Sequence, residues 1–502
     1  MHSRIDSLIL SSDDGSHKET MLRITKRYRR QPSRAMPSTW MNTMRLLSRA
    51  SFESDRDDRL YNRIASKLLP YLILLLVVSF VDRVNVGFAK LQMASDIGLS
   101  DLAYGTGAGL FFVGYCAFEI PANLILQRVG ARAWLGAIML IWGVISAGMA
   151  FVTDAHEFYV MRVLLGVAEA GCYPGVMLYM TYWFPPRLRS QVCAIFFLGL
   201  TFGGMLGGPL SGWILQSAPE WGGLRGWQWL FILEALPAIG LSIVTFRWLA
   251  NGPRDAVWLA PDERVVVYHA AQGMSPSSAV RAQPARVRDA LASPTVWLMM
   301  LANFALLGGA YGVSFWLPQV LRSAGSASML QIGMLSAVPY LFSGACMVLV
   351  ARHSDRVRER RWHSILPMLL SVAGFGITAM ATGSVVWALA GLTLAVVGAQ
   401  ASSGVLWSVP ATLFSGSAAG TALAMVTIGG NLGGYAIPYM IGYTRSLGGG
   451  FALGFQLLCA IQVVGIAALL LIPARRFVME QHGAPRNGAD GTSSGGVVRE
   501  AQ

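Results

Sequence analysis

Charge is what this chain of 502 residues has least of. Only 13% of its residues are Asp, Glu, Lys or Arg, while 54% are hydrophobic and the mean hydropathy is +0.50. A water-soluble protein carries about twice that charged fraction, so a soluble fold is excluded at the outset. Cysteine is scarce as well. Cys116, Cys172, Cys193, Cys346 and Cys459 each fall within an apolar run, with neither disulfide-framework nor metal-ligand spacing. They read as small core residues. The chain has no metal-ligand cluster, nucleophile elbow or phosphate loop, so no enzymatic activity, no cofactor and no metal are expected. The basic start is not followed by an apolar segment with a small-residue cleavage site, so no signal peptide is expected. Acidic residues number 26 against 39 basic ones, a formal net charge of +13. The excess lies in the tails and in alternate loops, which is the distribution of a membrane protein and not of a nucleic-acid partner.

What the chain has in abundance is apolar runs near the length, about 20 residues, that a helix needs to cross a bilayer. These runs predict an all-α, polytopic membrane protein with twelve transmembrane helices in two six-helix halves. The expected divisions are a polar N-terminal tail over 1–66, expected to be disordered and with alternative starts at Met36, Met41 and Met44; a first half over 67–250; a charged, non-spanning central loop over 251–293; a second half over 294–474; and a polar Gly/Ser-rich tail over 475–502. Short basic loops, QRVGARAW after the second span and RHSDRVRERRWH at the corresponding place in the second half, point to an internal duplication. Loops on one side hold Arg128, Arg132, Arg187, Arg189, the arginines from Arg352 to Arg361, Arg475 and Arg476. The other side has little beyond Lys90, Arg225, Arg322 and Arg445. Both termini are therefore expected in the cytoplasm.

Charges inside the spans then stand out, because an ionisable group at membrane depth costs several kcal/mol by roughly any scale. The fourth span, RVLLGVAEAGCYPGVMLYMTYWFPP, carries Arg162 and Glu169. Seven residues apart, they share a helical face at roughly 10 Å along the axis. Pro174 loosens the backbone just beyond. The first span carries Asp82, Arg83 and Asn85. Neighbours on a helix differ by about 100°, so Asp82 and Arg83 cannot face one point. A structural ion pair, or a helix end with Arg83 reaching to headgroups, is the bland alternative. In the second half no such charges sit mid-span, and Asn303, Tyr311, Trp316, Gln400, Trp407 and Asn431 are the candidate wall of a pathway.

Four segments together, DRVNVGFA (82–89), PANLILQRVGAR (121–132), RVLLGVAEAGCYPGVMLYMTYWFPPRLRSQ (162–191) and FWLPQ (315–319), resemble the anion:cation symporter family of the major facilitator superfamily. That family includes bacterial tartrate, phthalate, sugar-acid and hydroxyphenylacetate permeases. The resemblance covers about residues 68–472. Two departures are visible: the first signature loop has Gln127 in place of the usual aspartate, and the second has Arg358 in place of glycine. The resemblance implies proton-coupled uptake of a small organic carboxylate across a bacterial inner membrane by a monomer, with protons, or sodium in their place, as the coupling ion. It implies Arg83 as the carboxylate clamp with Tyr115 and Asn431 as further substrate contacts. It also implies Asp82 and Glu169 as proton-coupling groups with Arg162 as their partner. Phe80 stands where some sugar-acid permeases have tyrosine, which favours a less polar or aromatic acid.

The rival expectation is a proton-driven efflux antiporter of the same fold. It rests on GMLGGPLSG (204–212), which resembles a fifth-helix motif of drug antiporters. Packing of small residues between helices accounts for the same glycines.

Overall fold

The computed structural model describes residues 46–47, 54–218, 221–272, 287–326, 328–381, 383–407, 409 and 416–477. The expectations for residues 1–45 and 478–502 lie outside these. The first half comprises α1 (Asp55–Asp96), α2 (Asp101–Val129), α3 (Ala131–Gly148, continued by a 3-10 turn to Phe151), α4 (Ala155–Glu169), α5 (Cys172–Trp183), α6 (Pro186–Ser217) and α7 (Gly226–Trp248). A short helix α8 (Pro261–Ala271) lies in the central segment. The second half comprises α9 (Pro294–Ser323), α10 (Met329–Val357), α11 (Arg361–Met380), α12 (Val385–Leu406), α13 (Gly416–Ser446) and α14 (Ala452–Leu471). Counting α4 and α5 as one span, eleven of the helical spans are long and apolar enough to cross a membrane. The 31-residue α13 fills the remaining place among twelve. Large apolar side chains such as Ile120, Leu206, Leu349 and Leu366 face outward and are more than half exposed, as lipid-facing residues should be.

Helix ends follow local chemistry. Ser54 caps α1 by accepting from the Asp57 amide at 3.1 Å, and Asp55, Asp57 and Asp58 place negative charge on its first turn. The helix therefore begins at Asp55, inside the stretch assigned to the N-terminal tail. Ser100, Asp154 and Ser328 cap α2, α4 and α10 in the same way. Call the end of the bundle where α1 begins proximal, and the end where α1 turns into α2 distal. At the proximal end the two signature loops both need a left-handed residue: Gly130 has φ 86°, and Arg358, at the same place in the second half, has φ 56°.

The halves meet along α2 against α13 and along α6 against α10. The glycines of 203–212 make α6 thin on two sides. Gly203 and Gly207 receive Phe80 and Val81 of α1, and Gly208 lies so close to α10 that a Cβ there would sit 2.7 Å from the Gly333 carbonyl oxygen. Their packing role is thus filled in full. The fourth span is not one helix: α4 stops at Glu169, two residues turn, and α5 starts at Cys172. Pro174 supplies a reason, because it lacks the amide that would bond to the Ala170 carbonyl.

Candidate substrate and coupling site

Five ionised-type side chains are buried at mid-span in the first half, away from the helix ends: Asp82, Arg83, Arg162, Glu169 and Glu234, each 3% exposed or less. Their arrangement follows from the helices that carry them. Asp82 and Arg83 are neighbours on α1 and diverge. Arg83 points toward the second half, where its Nη1 donates to the Tyr311 hydroxyl on α9 at 3.0 Å. Its Nη2 makes a 2.6 Å ion pair with Glu169 at the end of α4. The rings of Phe111, Tyr173 and Tyr115 stand 4.9, 5.0 and 5.4 Å from the guanidinium. Attraction of a cation to aromatic faces offsets part of its desolvation. Arg83 thus joins α1, α2, α4, α5 and α9, and its side chain is buried among them. Glu169 also accepts from Ser79 at 3.3 Å through the same oxygen, and its second oxygen is buried without a hydrogen-bond partner.

Asp82 faces the other way. Its Oδ1 accepts from Ser146 on α3, with the Asn85 amide at 3.5 Å, and its Oδ2 has no partner. Arg162 does not pair with Glu169 or Asp82. It donates instead to the backbone carbonyls of Gly107 at 3.3 Å and Ala108 at 3.2 Å, between the rings of Phe111 and Phe315. Seven residues of helix separate it from Glu169, about 10 Å of rise, and Arg83 takes the carboxylate first. Tyr115 is brought to Arg83. Asn431 is buried on α13, its amide nitrogen unpartnered and with no contact to Arg83. Asn303 is spent on packing, since its amide donates to the Val426 carbonyl at 2.8 Å.

Bonds between the halves cluster at Arg83 and distal to it. Tyr104 donates to the Phe315 carbonyl at 2.7 Å and Gln319 to the Gly87 carbonyl at 2.7 Å. Arg445 of α13 donates to Asp101 of α2 at 2.8 Å, and Asp101 also pairs with Lys90. Lys90 in turn stands 3.9 Å above the Trp316 ring. Trp316 is fully buried and is no interfacial residue.

A family model described as the Major Facilitator Superfamily matches residues 72–438. The chain belongs to that superfamily. It is a transporter and a multi-pass membrane protein, not an enzyme. It is 41% identical over 436 residues to a putative tartrate transporter of Agrobacterium vitis, covering 87% of this chain and 98% of that one. It is 35% identical over 412 residues to a quinolone resistance transporter of Acinetobacter baumannii, covering 82% and 94%. Among solved structures, the inward open xylose transporter XylE from E. coli shares the fold with a TM-score of 0.66 at 16% identity, over 82% of this chain and 96% of that one.

Sequence reasoning did not single out Phe111, Tyr173, Ser79, Ser146 or Glu234. For Glu234 the signal was present, a lone acid in the apolar run FILEALPA. The aromatic and hydroxyl partners carry no such mark, because their role comes only from the crossing of helices.

Proposed function

We propose that this transporter takes up a small organic carboxylate together with protons, with both termini on the cytoplasmic side and the pathway within a single chain. The observation that carries this reading is the buried Arg83–Glu169 pair at the meeting of the two halves. A guanidinium fork suits a carboxylate, and here a carboxylate already occupies it. A substrate carboxylate can take Glu169's place only if Glu169 leaves. An ionised glutamate left in that space without a counter-charge is costly, so its release is easiest when it picks up a proton. Substrate and proton then enter as a pair. Tyr311 and the rings around Arg83 supply an amphipathic lining suited to an aromatic or modestly hydroxylated acid. The relative named as a tartrate transporter supports the substrate class, and the excess of arginine in the proximal loops supports the orientation.

The test is uptake of labelled L-tartrate and benzoate-type acids into proteoliposomes under an imposed pH gradient, beside counterflow without one. Glu169→Gln is expected to abolish gradient-driven accumulation and to keep counterflow. Accumulation by Glu169→Gln equal to the parent's refutes the coupling role. A second reading, efflux of drugs by antiport, is favoured by the relative named as a quinolone resistance transporter. It predicts reduced quinolone susceptibility in cells that express the chain, with no carboxylate uptake.

A further inference from the structure

A second cluster of titratable side chains lies in the other half, at its proximal end, outside the site described so far. His353 stands near the end of α10 and His363 in the first turn of α11, on either side of the second signature loop. His353 Nδ1 and His363 Nε2 are 2.6 Å apart, with the ring centroids at 4.9 Å. The other nitrogen of His363, Nδ1, is 2.8 Å from Glu359 Oε2. Glu359 is itself held in place, accepting from the backbone amides of Trp362 at 2.8 Å and His363 at 3.3 Å. Burial disfavours its charge, yet these amides and the ring together keep the carboxyl below the usual carboxylate range. Of the other charges here, Arg360 turns to Asp355 at 3.8 Å and Arg361 donates to the Leu470 carbonyl of α14 at 2.6 Å. Arg352, Arg356 and Arg358 complete the charges of the turn. α12 and α14, packed against these helices, carry no acidic, basic or histidine side chain. α6 brings Arg187 and Arg189 to this end, and Arg189 is taken by the carbonyls of Thr181, Phe184 and Ala271.

We infer that His353 and His363 form a proton-binding site on the proximal face, which ties α10 to α11 while one proton lies between the rings and releases them when both rings are charged. An ionised carboxylate only accepts, so His363 Nδ1 carries the hydrogen on the Glu359 side. The facing nitrogens, His363 Nε2 and His353 Nδ1, then need one proton and no more. Two bare nitrogens would set lone pair against lone pair, and two N–H groups would set hydrogen against hydrogen. The contact therefore survives with both rings neutral or with a single positive charge, and it fails when both are cationic. When the second proton arrives from water, an N–H forms on the bare nitrogen, the N–H···N bond is lost, and the pair's charge rises from +1 to +2. Histidine is the side chain whose ordinary titration falls between pH 5 and 8, so a change of this kind lies within a cell's range. Water reaches the pair, since His353 is exposed and the His363 side chain is 17% exposed. The first signature loop, QRVGARAW, has no histidine, so the device belongs to the second half alone. That the proximal face is the cytoplasm rests on the orientation proposed above. In that orientation, protons delivered with the substrate arrive on the side where they part the rings.

The test is a pH titration of isotope-labelled histidine rings by nuclear magnetic resonance, on the full chain in lipid nanodiscs. The parent is compared with His353→Gln, His363→Gln and Glu359→Gln. In the parent the two rings are expected to titrate in two steps set apart by about one pH unit or more, a tenfold difference in proton affinity. Either histidine replacement should leave the remaining ring with one step, at higher pH than the parent's lower step. Glu359→Gln keeps both rings and should move the upper step to lower pH, because the first proton loses the carboxylate's charge. If each ring titrates at the same pH whether or not the other is present, the site is overturned. Should the variants fold poorly, the parent alone decides. A scalar coupling between His353 Nδ1 and His363 Nε2 is expected above the lower step and should vanish below it; its absence at every pH, or its persistence in acid, is equally fatal. Two-step titration in a chain that fails to take up L-tartrate leaves this site standing and removes the uptake reading. L-tartrate uptake with independently titrating rings does the reverse.

Discussion

The distal closure can be weakened in measured steps. Three of the contacts that tie the halves there can each be removed by one substitution: Tyr104 to the Phe315 carbonyl, Gln319 to the Gly87 carbonyl, and Arg445 to Asp101. Each neutral bond is worth about 1 kcal/mol net. The Arg445–Asp101 pair has side chains 24% and 29% exposed, and that partial exposure limits it to about 1 kcal/mol as well. Asp101 retains Lys90 when Arg445 is lost, so no orphaned charge adds to the cost. The combination Tyr104→Phe, Gln319→Leu and Arg445→Gln should therefore disfavour the distally closed state by about 3 kcal/mol, a shift of about 10²-fold in its ratio to distally open states. Each single change should give about fivefold. The assay is pulsed electron–electron resonance between spin labels at the exposed positions Ser95 on α1 and Ser446 on α13, with the five native cysteines replaced. The triple variant is expected to show a new, longer distance population. An unchanged distance distribution in the triple variant refutes the idea that these bonds hold the distal end shut. A single change as effective as all three refutes their additive action.

Two further outcomes follow from named geometry. Arg83→Lys keeps the charge but loses the fork and the second bond to Tyr311, so substrate affinity measured by counterflow should fall by about 10- to 100-fold, the worth of one charge-assisted bond of about 1.5–3 kcal/mol; unchanged affinity removes Arg83 from the substrate contacts. Arg358 is the one non-glycine residue with positive φ among the described residues, so Arg358→Gly should stabilise the protein by about 1 kcal/mol and raise the thermal midpoint in detergent; a lowered midpoint would mean that the arginine side chain contributes more than its backbone costs.

The helical spans were legible because the bilayer imposes one length and one composition on all of them. The charges in α1 and α4 were legible for the same reason, since nothing apolar can substitute for an arginine at that depth. Their pairing was not. A helical wheel puts Arg162 and Glu169 on one face, but it cannot show that Arg83, from another helix, reaches the carboxylate at 2.6 Å while Arg162 spends itself on two backbone carbonyls. Asn303 and Asn431 look alike in sequence, yet one amide is consumed by packing and the other is left unpartnered. The distal contacts escaped notice because Lys90, Asp101 and Arg445 lie near helix ends, where charge is ordinary. Their importance comes from joining residues 344 apart in the chain.

At mid-span the first half buries three carboxyls, Asp82, Glu169 and Glu234, against two guanidiniums, Arg83 and Arg162. That imbalance has an electrical consequence. Moving one elementary charge through a membrane potential of 100 mV costs or yields about 2.3 kcal/mol. In a proton-coupled cycle, a dicarboxylate entering with one proton carries negative current inward and is opposed by an interior-negative voltage. With two protons the cycle is silent to voltage, and with three it is driven by it. Glu169 alone can accompany one proton. The acids on α1 and α7 are what could raise the number, and so decide whether the cell's voltage hinders, ignores or powers the uptake.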